Sequence, residues 1–496
     1  MDNPSSEHEN PVSNPEETSF LGAVKKGLAE TIDTFKAFVH APREIIGINI
    51  INIFEGMAYF GILTLLMLFL TKNVMLDDVN ASWVVSGYLM LITLSQLFLG
   101  GLSDKVGAKK MLGISIFVLL IARFILGFAE PALSTTFGTG LWSPFFFAVC
   151  GALLMAALAY GVFNPAVYSL TRMYSDKKTS AVSYAMLYAG MNLGAFIIGL
   201  SLPFIRRFFA AETDEAGNLI AQSLIPGTNG NGYSGALIFI AGIMVLIFVL
   251  YYFLLVRSKN KPLCNPNEDD PDAPKDEKPA QKLSLLERIK RHPLADGKFD
   301  FFIFILIPVQ TLFAYQNILI PTYLERCFRE YPTISDNFET FSNINPLIVF
   351  ICAPIIAALT AKQDVYKMMI IGTTVMAIPT FLLCLGQTPA LFLTFILIGA
   401  IGESMWQPRF LQHVTQIAPK DRMGAYVGIA NLPWFMTKFI VGLYVGFFMR
   451  QYIPDPDKLA EGMSQDPQTM WLIFACIAMI SPIALFLARN WVNPKK

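Results

Sequence analysis

Long apolar stretches recur along the chain, separated by short polar segments. Each is about 20 residues or longer, the length that an α-helix needs to cross the hydrocarbon core of a bilayer. Twelve such stretches form two groups of six, over residues 45–71, 83–103, 109–129, 143–170, 182–207 and 234–256, then 299–322, 342–361, 366–386, 389–415, 422–449 and 468–490. The pattern predicts an all-α membrane protein with twelve transmembrane helices in two bundles.

The polar segments divide the chain into five parts. We predict a cytoplasmic N-terminal tail, a six-helix bundle, a cytoplasmic linker, a second six-helix bundle and a short cytoplasmic tail, over residues 1–44, 45–256, 257–298, 299–490 and 491–496. Apolar residues at helical spacing within 21–39 predict an amphipathic helix, which lies in the membrane interface or packs on the bundles. A second, shorter amphipathic helix is predicted at 283–291.

Composition agrees with a membrane protein and narrows the chemistry. Hydrophobic residues make up 54% of the chain and charged residues 15%, against about 25% charged in soluble domains. A net charge of zero provides no field that would attract nucleic acid. Four histidines and six cysteines without C-x-x-C spacing predict no metal site, no cofactor and no disulfide framework. Residues 1–19 are polar and acidic, so we expect the first transmembrane helix to direct insertion.

Positive charges are concentrated in the loops that follow even-numbered helices and ahead of the first helix. These loops contain Lys105, Lys109, Lys110, Arg172, Lys177, Lys178, Lys362, Lys367, Lys420 and Arg422. Because basic loops remain on the cytoplasmic side, we predict a multi-pass protein of the cell membrane with both termini in the cytoplasm.

The loop between the second and third helices contains a motif, GGLSDKVGAKK at 100–110. It resembles the major facilitator superfamily signature G-x-L-x-D-(R/K)-x-G-x-(R/K)-(R/K). A glycine permits the tight turn, the lysines keep the loop inside, and the aspartate can pair with a neighbouring helix and hold one conformation. The predicted gating residues are Gly100, Asp104, Lys105, Gly107, Lys109 and Lys110. The resemblance implies two six-helix bundles that move about a central site.

Four ionisable residues fall near the middle of predicted helices: Glu55, Arg123, Glu403 and Lys438. Each costs roughly 2.5–3.5 kcal/mol to insert, so each is a functional candidate. Helices 1, 7 and 10 line the cavity in the resembling fold and helix 11 flanks it, which would place Glu55, Glu403 and Lys438 on the substrate path. The alternative for these three is a buried structural ion pair. Arg123, on a peripheral helix, is equally a structural partner.

Polar and aromatic residues recur in the same zone of several helices. Tyrosine and tryptophan combine an apolar face with one polar group, which suits amphipathic solutes. Any one of them can equally be a packing residue. The candidates are Tyr59, Asn192, Gln310, Tyr315, Asn345, Trp406 and Trp434.

Several of these positions fall in motifs that resemble the proton-dependent oligopeptide transporters. LYAGMNLGAF at 187–196 is similar to that family's F-Y-x-x-I-N-x-G-A-F, and N-P-L at 345–347, G-E at 402–403 and W-F at 434–435 are similar to its later motifs. The resemblance implies that Asn192, Asn345, Glu403 and Trp434 line a peptide site, with Glu403 facing the substrate's amino group.

The chain departs from this family at its cationic positions. In the helix 1 signature E-x-x-E-R the first glutamate is Asn52 and the arginine is Gly56. On helix 4 the family's lysine is Asn164, and the neighbouring asparagine is Ala166. Whether this chain binds peptides and uses the family's proton relay is therefore an open question. Lys438 is a candidate to replace one of the missing cations.

These features predict a secondary active transporter of a small organic solute, such as a di- or tripeptide or an amino-acid derivative, working by alternating access. Its expected partners are this solute, protons and the lipid bilayer, and we expect a monomer without enzymatic activity. Glu55 and Glu403 are the proton-coupling candidates, because a carboxyl group in a low-dielectric setting can hold a proton near neutral pH. An exporter of amphipathic compounds and a non-transporting receptor on the same fold are the alternatives.

Overall fold

A computed structural model describes residues 42–175, 180–213, 219–258, 260, 292–360, 363–419, 426, 429–459 and 464–492. The two predicted amphipathic segments, 21–39 and 283–291, lie outside the described residues, as do nearly all of the N-terminal tail and most of the linker.

Twelve described helices are long and apolar enough to cross a membrane, which confirms the all-α, twelve-helix prediction. We number them α1 to α12: Arg43–Lys72, Asp78–Leu99, Ala108–Phe137, Pro144–Tyr174, Met186–Phe209, Tyr233–Val256, Gly297–Ile318, Phe338–Ile356, Val365–Cys384, Pro389–Val414, Leu432–Tyr452 and Pro467–Leu487.

Polar side chains set where several of these helices begin. Asp77 accepts the backbone N–H groups of Val79 and Asn80, both at 2.9 Å, at the start of α2. Ser143 and Asp364 cap α4 and α9 in the same way. A cap of this kind satisfies N–H groups that lack an intrahelical acceptor, so the helices start where the sequence changes from loop to apolar residues.

The third helix ends later than the sequence predicts. It continues past residue 129 through a π-helical turn, Glu130–Ser134, and reaches Phe137. Glu130 is buried because donors surround its carboxylate: Asn73 Nδ2 at 2.8 Å, the backbone N–H of Asn229 at 3.0 Å, and the hydroxyl of Ser234. These bonds let an acidic residue continue an apolar helix.

Small residues bring α1 and α5 into close contact. A Cβ atom on Gly56 would lie 2.8 Å from the carbonyl oxygen of Met191, and one on Gly194 would lie 2.3 Å from that of Ile53. Neither position has room for a side chain, and the backbones of the two helices pack directly on each other.

The helices form two bundles, α1–α6 and α7–α12, which meet where α2 packs on α11 and α5 packs on α8. We call the end formed by the loops after odd-numbered helices the odd-loop end, and the opposite end the even-loop end. The odd-loop end holds a two-stranded antiparallel hairpin, β1 (Glu212–Thr213) and β2 (Leu219–Ala221). It also holds a short helix after α7, Ile320–Cys327.

Candidate functional site

Among the described residues, three ion pairs join the two bundles at the odd-loop end. Arg326 donates two hydrogen bonds to the Asp78 carboxylate at 2.7 and 2.8 Å. Arg206 Nε donates to the buried Glu339 at 2.6 Å. Lys72, at the end of α1, pairs with Glu325. Because each pair has one partner in each bundle, separating the bundles here breaks all three.

Uncharged contacts interlock the same end. Thr340 Oγ1 donates to the carbonyl oxygen of Gly199 at 2.8 Å, which joins α8 to α5. Ser82 Oγ donates to the carbonyl oxygen of Gly442 at 3.2 Å, which joins α2 to α11. A Cβ atom on Gly446 would lie 2.4 Å from Ser82 Oγ, so the interface admits only small residues here. The structure is closed at the odd-loop end.

Glu403 and Asn345 form a polar pair on the second bundle. Asn345 Nδ2 donates to Glu403 Oε2 at 2.9 Å, and both residues are buried. Glu403 forms no ion pair with any residue that the structure describes. A cavity of about 20 Å³ adjoins both side chains and Gln316, which is enough for one water molecule. The structure therefore brings two of the predicted site residues into contact, and the carboxyl group of one of them, Glu403, has no cationic partner in the described part of the chain.

A tyrosine from the other bundle approaches this pair. Tyr188 of α5 is 49% exposed and interacts electrostatically with Glu403 of α10. Asn192, one turn along α5, donates to the backbone oxygen of Tyr188 at 3.0 Å. Tyr188 belongs to the helix 5 motif but is not among the predicted site residues. Its position four residues before Asn192, on the same face of the helix, is the sequence feature that could have identified it.

Two predicted tryptophans stack on each other, and Trp406 lies about one turn after Glu403 on α10. The rings of Trp406 and Trp434 lie 6.3 Å apart between centroids and 7° from parallel, and Phe313 lies 5.1 Å from Trp434. Trp406 is fully buried, with its Nε1 directed to Met376 Sδ at 3.2 Å, whereas Trp434 is only partly buried. Trp434 can therefore offer a ring face, and Trp406 supports it from behind.

Lys438 lies one turn after Trp434 on α11 and is partly buried. Its ammonium group forms no hydrogen bond or ion pair with a described residue. Within the described part of the chain, Glu403 and Lys438 are thus two ionisable groups of the second bundle without an oppositely charged partner.

Glu55 has a different environment. Its carboxylate forms a bidentate ion pair with Arg123, at 2.5 and 2.9 Å, and accepts the hydroxyl of Tyr160. Glu55 is 1% exposed and Arg123 2% exposed. The ring of Tyr59 packs on Tyr160 at 5.2 Å. The structure places Glu55 inside the first bundle, in the buried ion pair that the sequence left as an alternative.

Two further candidates face the interior of the second bundle. Gln310 is fully buried, and its Oε1 accepts the hydroxyl of Thr437 at 3.2 Å. Tyr315 bonds to the Tyr444 hydroxyl at 2.5 Å and stacks on Phe474 at 4.5 Å. The structure does not bring Tyr315 to the Glu403 pair, because α11 and α12 surround its ring.

The motif at 100–110 forms the short helix Leu102–Val106 and a tight turn into α3. Gly107 has φ of 103°, a backbone conformation that favours glycine. The backbone oxygen of Lys109 accepts the hydroxyl of Tyr251 at 2.8 Å, and Lys105 and Lys110 are exposed. The Asp104 side chain lies outside what the structure describes, so its pairing stays a prediction.

The two first-helix positions that differ from the family signature, Asn52 and Gly56, pack against α5. Asn52 Nδ2 donates to the carbonyl oxygen of Leu187 at 2.7 Å, and Gly56 abuts the backbone of Met191. An arginine at position 56 would collide with that backbone. Among the described residues no group of three His, Cys, Asp or Glu is placed to hold a metal ion.

Comparison with known proteins agrees with this architecture. Two solved structures of similar fold are a peptide transporter of the POT family in complex with sulfate (TM-score 0.65, 16% identity) and the nucleoside transporter NupG (TM-score 0.64, 14% identity). Each covers 91% of this chain, and the match spans 95% and 100% of those chains, respectively. A third is a POT family transporter in complex with 5-aminolevulinic acid (TM-score 0.64, 14% identity, 91% of this chain and 97% of that one). These likenesses show the fold.

A short stretch is also similar to a curated protein. It is 34% identical over 74 residues to riboflavin transporter RibZ of Clostridioides difficile (strain 630), and the match spans 15% of each chain. The family model described as Major Facilitator Superfamily matches residues 48–442. The chain therefore belongs to the Major Facilitator Superfamily of membrane transporters.

Proposed function

We propose that this protein is a secondary active transporter that moves a small organic solute by alternating access, as a monomer in the cell membrane with both termini in the cytoplasm. The observation that supports it best is the Glu403–Asn345 pair, a buried polar pair of the second bundle without a described cation, in a protein whose two bundles are locked together at the odd-loop end. With that end closed, the solute reaches the site from the even-loop end, which we infer to be cytoplasmic because its loops are basic. Breaking the contacts at the odd-loop end would open a path to the site from that side of the membrane.

Charge supports a zwitterionic substrate. Glu403 lacks a cation and Lys438 lacks an anion among the described residues, so a solute with an amino group and a carboxylate would satisfy both. Such a solute is a short peptide or an amino-acid derivative. One solved structure of similar fold is a complex with 5-aminolevulinic acid, which has these two groups.

Glu403 is the better of the two proton-coupling candidates. Glu55 is already paired with Arg123 inside the first bundle, so its carboxylate is occupied by a protein partner. Glu403 has one amide donor, and gain or loss of a proton changes what it offers to a substrate amino group. A proton would then enter or leave the site with the solute.

The test is uptake of labelled dipeptides and amino-acid derivatives into proteoliposomes, with and without an imposed inward proton gradient. We expect wild-type uptake to rise with the gradient. In Glu403→Gln, uptake should no longer depend on the gradient. Lys438→Ala should raise KM roughly ten- to 150-fold, because it removes a charge-assisted hydrogen bond worth about 1.5–3 kcal/mol.

Matched controls are Glu330→Gln and Lys458→Ala, which remove the same charges from exposed loop positions at the odd-loop end. Uptake indifferent to the gradient would contradict proton coupling. Wild-type KM in Lys438→Ala would contradict the substrate carboxylate site.

The exposed aromatic surface favours a second candidate, an exporter of amphipathic compounds. The rings of the partly buried Trp434 and the half-exposed Tyr188 are accessible, and such ring faces bind flat apolar solutes. Inside-out vesicles that accumulate an aromatic dye faster than right-side-out vesicles would support export. A receptor that does not transport would bind a solute, as seen by thermal stabilisation, with no flux in either vesicle type.

A further inference from the structure

A cleft of about 630 Å³ opens at the even-loop end, between the start of α9 and the end of α12. It lies apart from the Glu403 pair, on a surface where large apolar side chains are exposed. Phe486 of α12 is 49% exposed and Ile371 of α9 is 36% exposed. In a membrane-spanning bundle such side chains face lipid.

Two cations stand at the same level of this cleft. Lys367 is in the first turn of α9, and Arg489 begins the short helix that follows α12. The two transmembrane helices run in opposite directions, so Ile371 and Phe486 both lie about one turn deeper, roughly 5 Å toward the middle of the membrane. Each wall thus has a cation at the rim and an apolar side chain below it.

The cations are available to a ligand. Both are exposed, and neither forms an ion pair with a described residue. Asp364 also lines the cleft, but its carboxylate accepts the backbone N–H of Lys367 at 2.7 Å as the cap of α9. The Arg489 guanidinium lies 4.3 Å over the ring of Phe486. Two cations and one acid leave one positive charge, which complements an anion.

We propose that this cleft binds an anionic phospholipid, with its phosphate between Lys367 and Arg489 and an acyl chain along Ile371 and Phe486. Basic residues next to a membrane helix attract anionic headgroups at about 1 kcal/mol each. Trp491, which is 49% exposed and packs on Phe301 at 5.5 Å, belongs to the residue type that marks the membrane–water interface. The cleft therefore offers a cationic rim for a phosphate and an apolar wall for an acyl chain, and Trp491 stands near its rim in sequence, two residues after Arg489.

The test is native mass spectrometry of the delipidated full-length protein titrated with phosphatidylglycerol or phosphatidylcholine. We expect tighter binding of phosphatidylglycerol, and a loss of roughly ten- to thirty-fold in its affinity for K367A/R489A. The matched control R257A/K298A removes the same two charge types from exposed positions at the even-loop end outside the cleft, and should bind like the wild type.

Equal phosphatidylglycerol affinity in K367A/R489A and the wild type would overturn the proposal. Displacement of the lipid by low-millimolar inorganic phosphate would also overturn it, because the cleft would then be a phosphate site. K367R/R489K keeps both charges and should restore binding. If K367A/R489A aggregates, K367Q/R489Q provides the same comparison.

Discussion

The buried ion pair between Glu55 and Arg123 allows the roles of the two carboxyl candidates to be separated. Both side chains are almost fully buried, and they share two hydrogen bonds. Glu55→Gln would leave the guanidinium of Arg123 buried without a counter-charge. Arg123→Leu would leave the carboxylate with only the Tyr160 hydroxyl. If the pair is structural, each single change destabilises the protein.

The size of the effect follows from the burial. Removing one partner of a buried pair costs about 3–5 kcal/mol, whereas replacing both partners is often neutral. With an unfolding entropy of about 2.1 cal/mol/K per residue, the 496-residue chain would lose about 1 kcal/mol of stability per degree. Each single variant should therefore melt about 3–5 °C lower. The double variant Glu55→Gln/Arg123→Leu should recover most of that difference.

The assay is thermal unfolding in detergent, combined with uptake by the same preparations. We expect the double variant to melt near the wild type and to retain coupled uptake. If the single variants melted like the wild type, and the double variant folded but lost its dependence on the proton gradient, the reasoning would be refuted and Glu55 would be a coupling residue.

Three further outcomes follow from packing and from the closed end. Gly194→Ala should lower stability by about 1–3 kcal/mol, because its Cβ meets the α1 backbone; Gly151→Ala, with open space around it, should be neutral or stabilising by up to about 1 kcal/mol in the same melts. Because Thr340→Cys itself removes one closing contact, labelling is compared within that background: Arg206→Gln should speed maleimide labelling of Thr340→Cys several-fold over Thr340→Cys alone, and an unchanged rate would show that the Arg206 ion pair does not hold the end closed. Tyr315→Phe should cost about 1 kcal/mol of stability while KM stays at the wild-type value, since its ring does not reach the Glu403 pair.

The candidate site was only partly predictable. Glu403, Asn345 and Trp434 were named from motifs, and the structure brings Glu403 and Asn345 into contact. The sequence identifies Glu55 and Arg123 as charges that are costly to insert into a membrane, but it does not show that they form an ion pair with each other. They are 68 positions apart and lie on α1 and α3, so their contact depends on how the helices pack.

The same limit applies to the close contact between α1 and α5. The letters at positions 56 and 194 identify two glycines. Whether a glycine bends a helix, ends it or admits a neighbouring backbone depends on the second helix. Here Gly56 admits the backbone of Met191, and Gly194 admits the backbone of Ile53. This close packing explains why position 56 cannot hold the arginine found in the family that the chain resembles.

The number of spanning helices, their division into two bundles and the fold were predictable from the sequence alone, because a bilayer imposes length and hydropathy on each helix separately. Those constraints are local and can be read along the chain. The packing of the helices sets which charges neutralise each other and which end of the bundles is closed, and it leaves Glu403 without a cation among the residues that the structure describes. These properties are set by distances of a few ångströms between residues far apart in sequence.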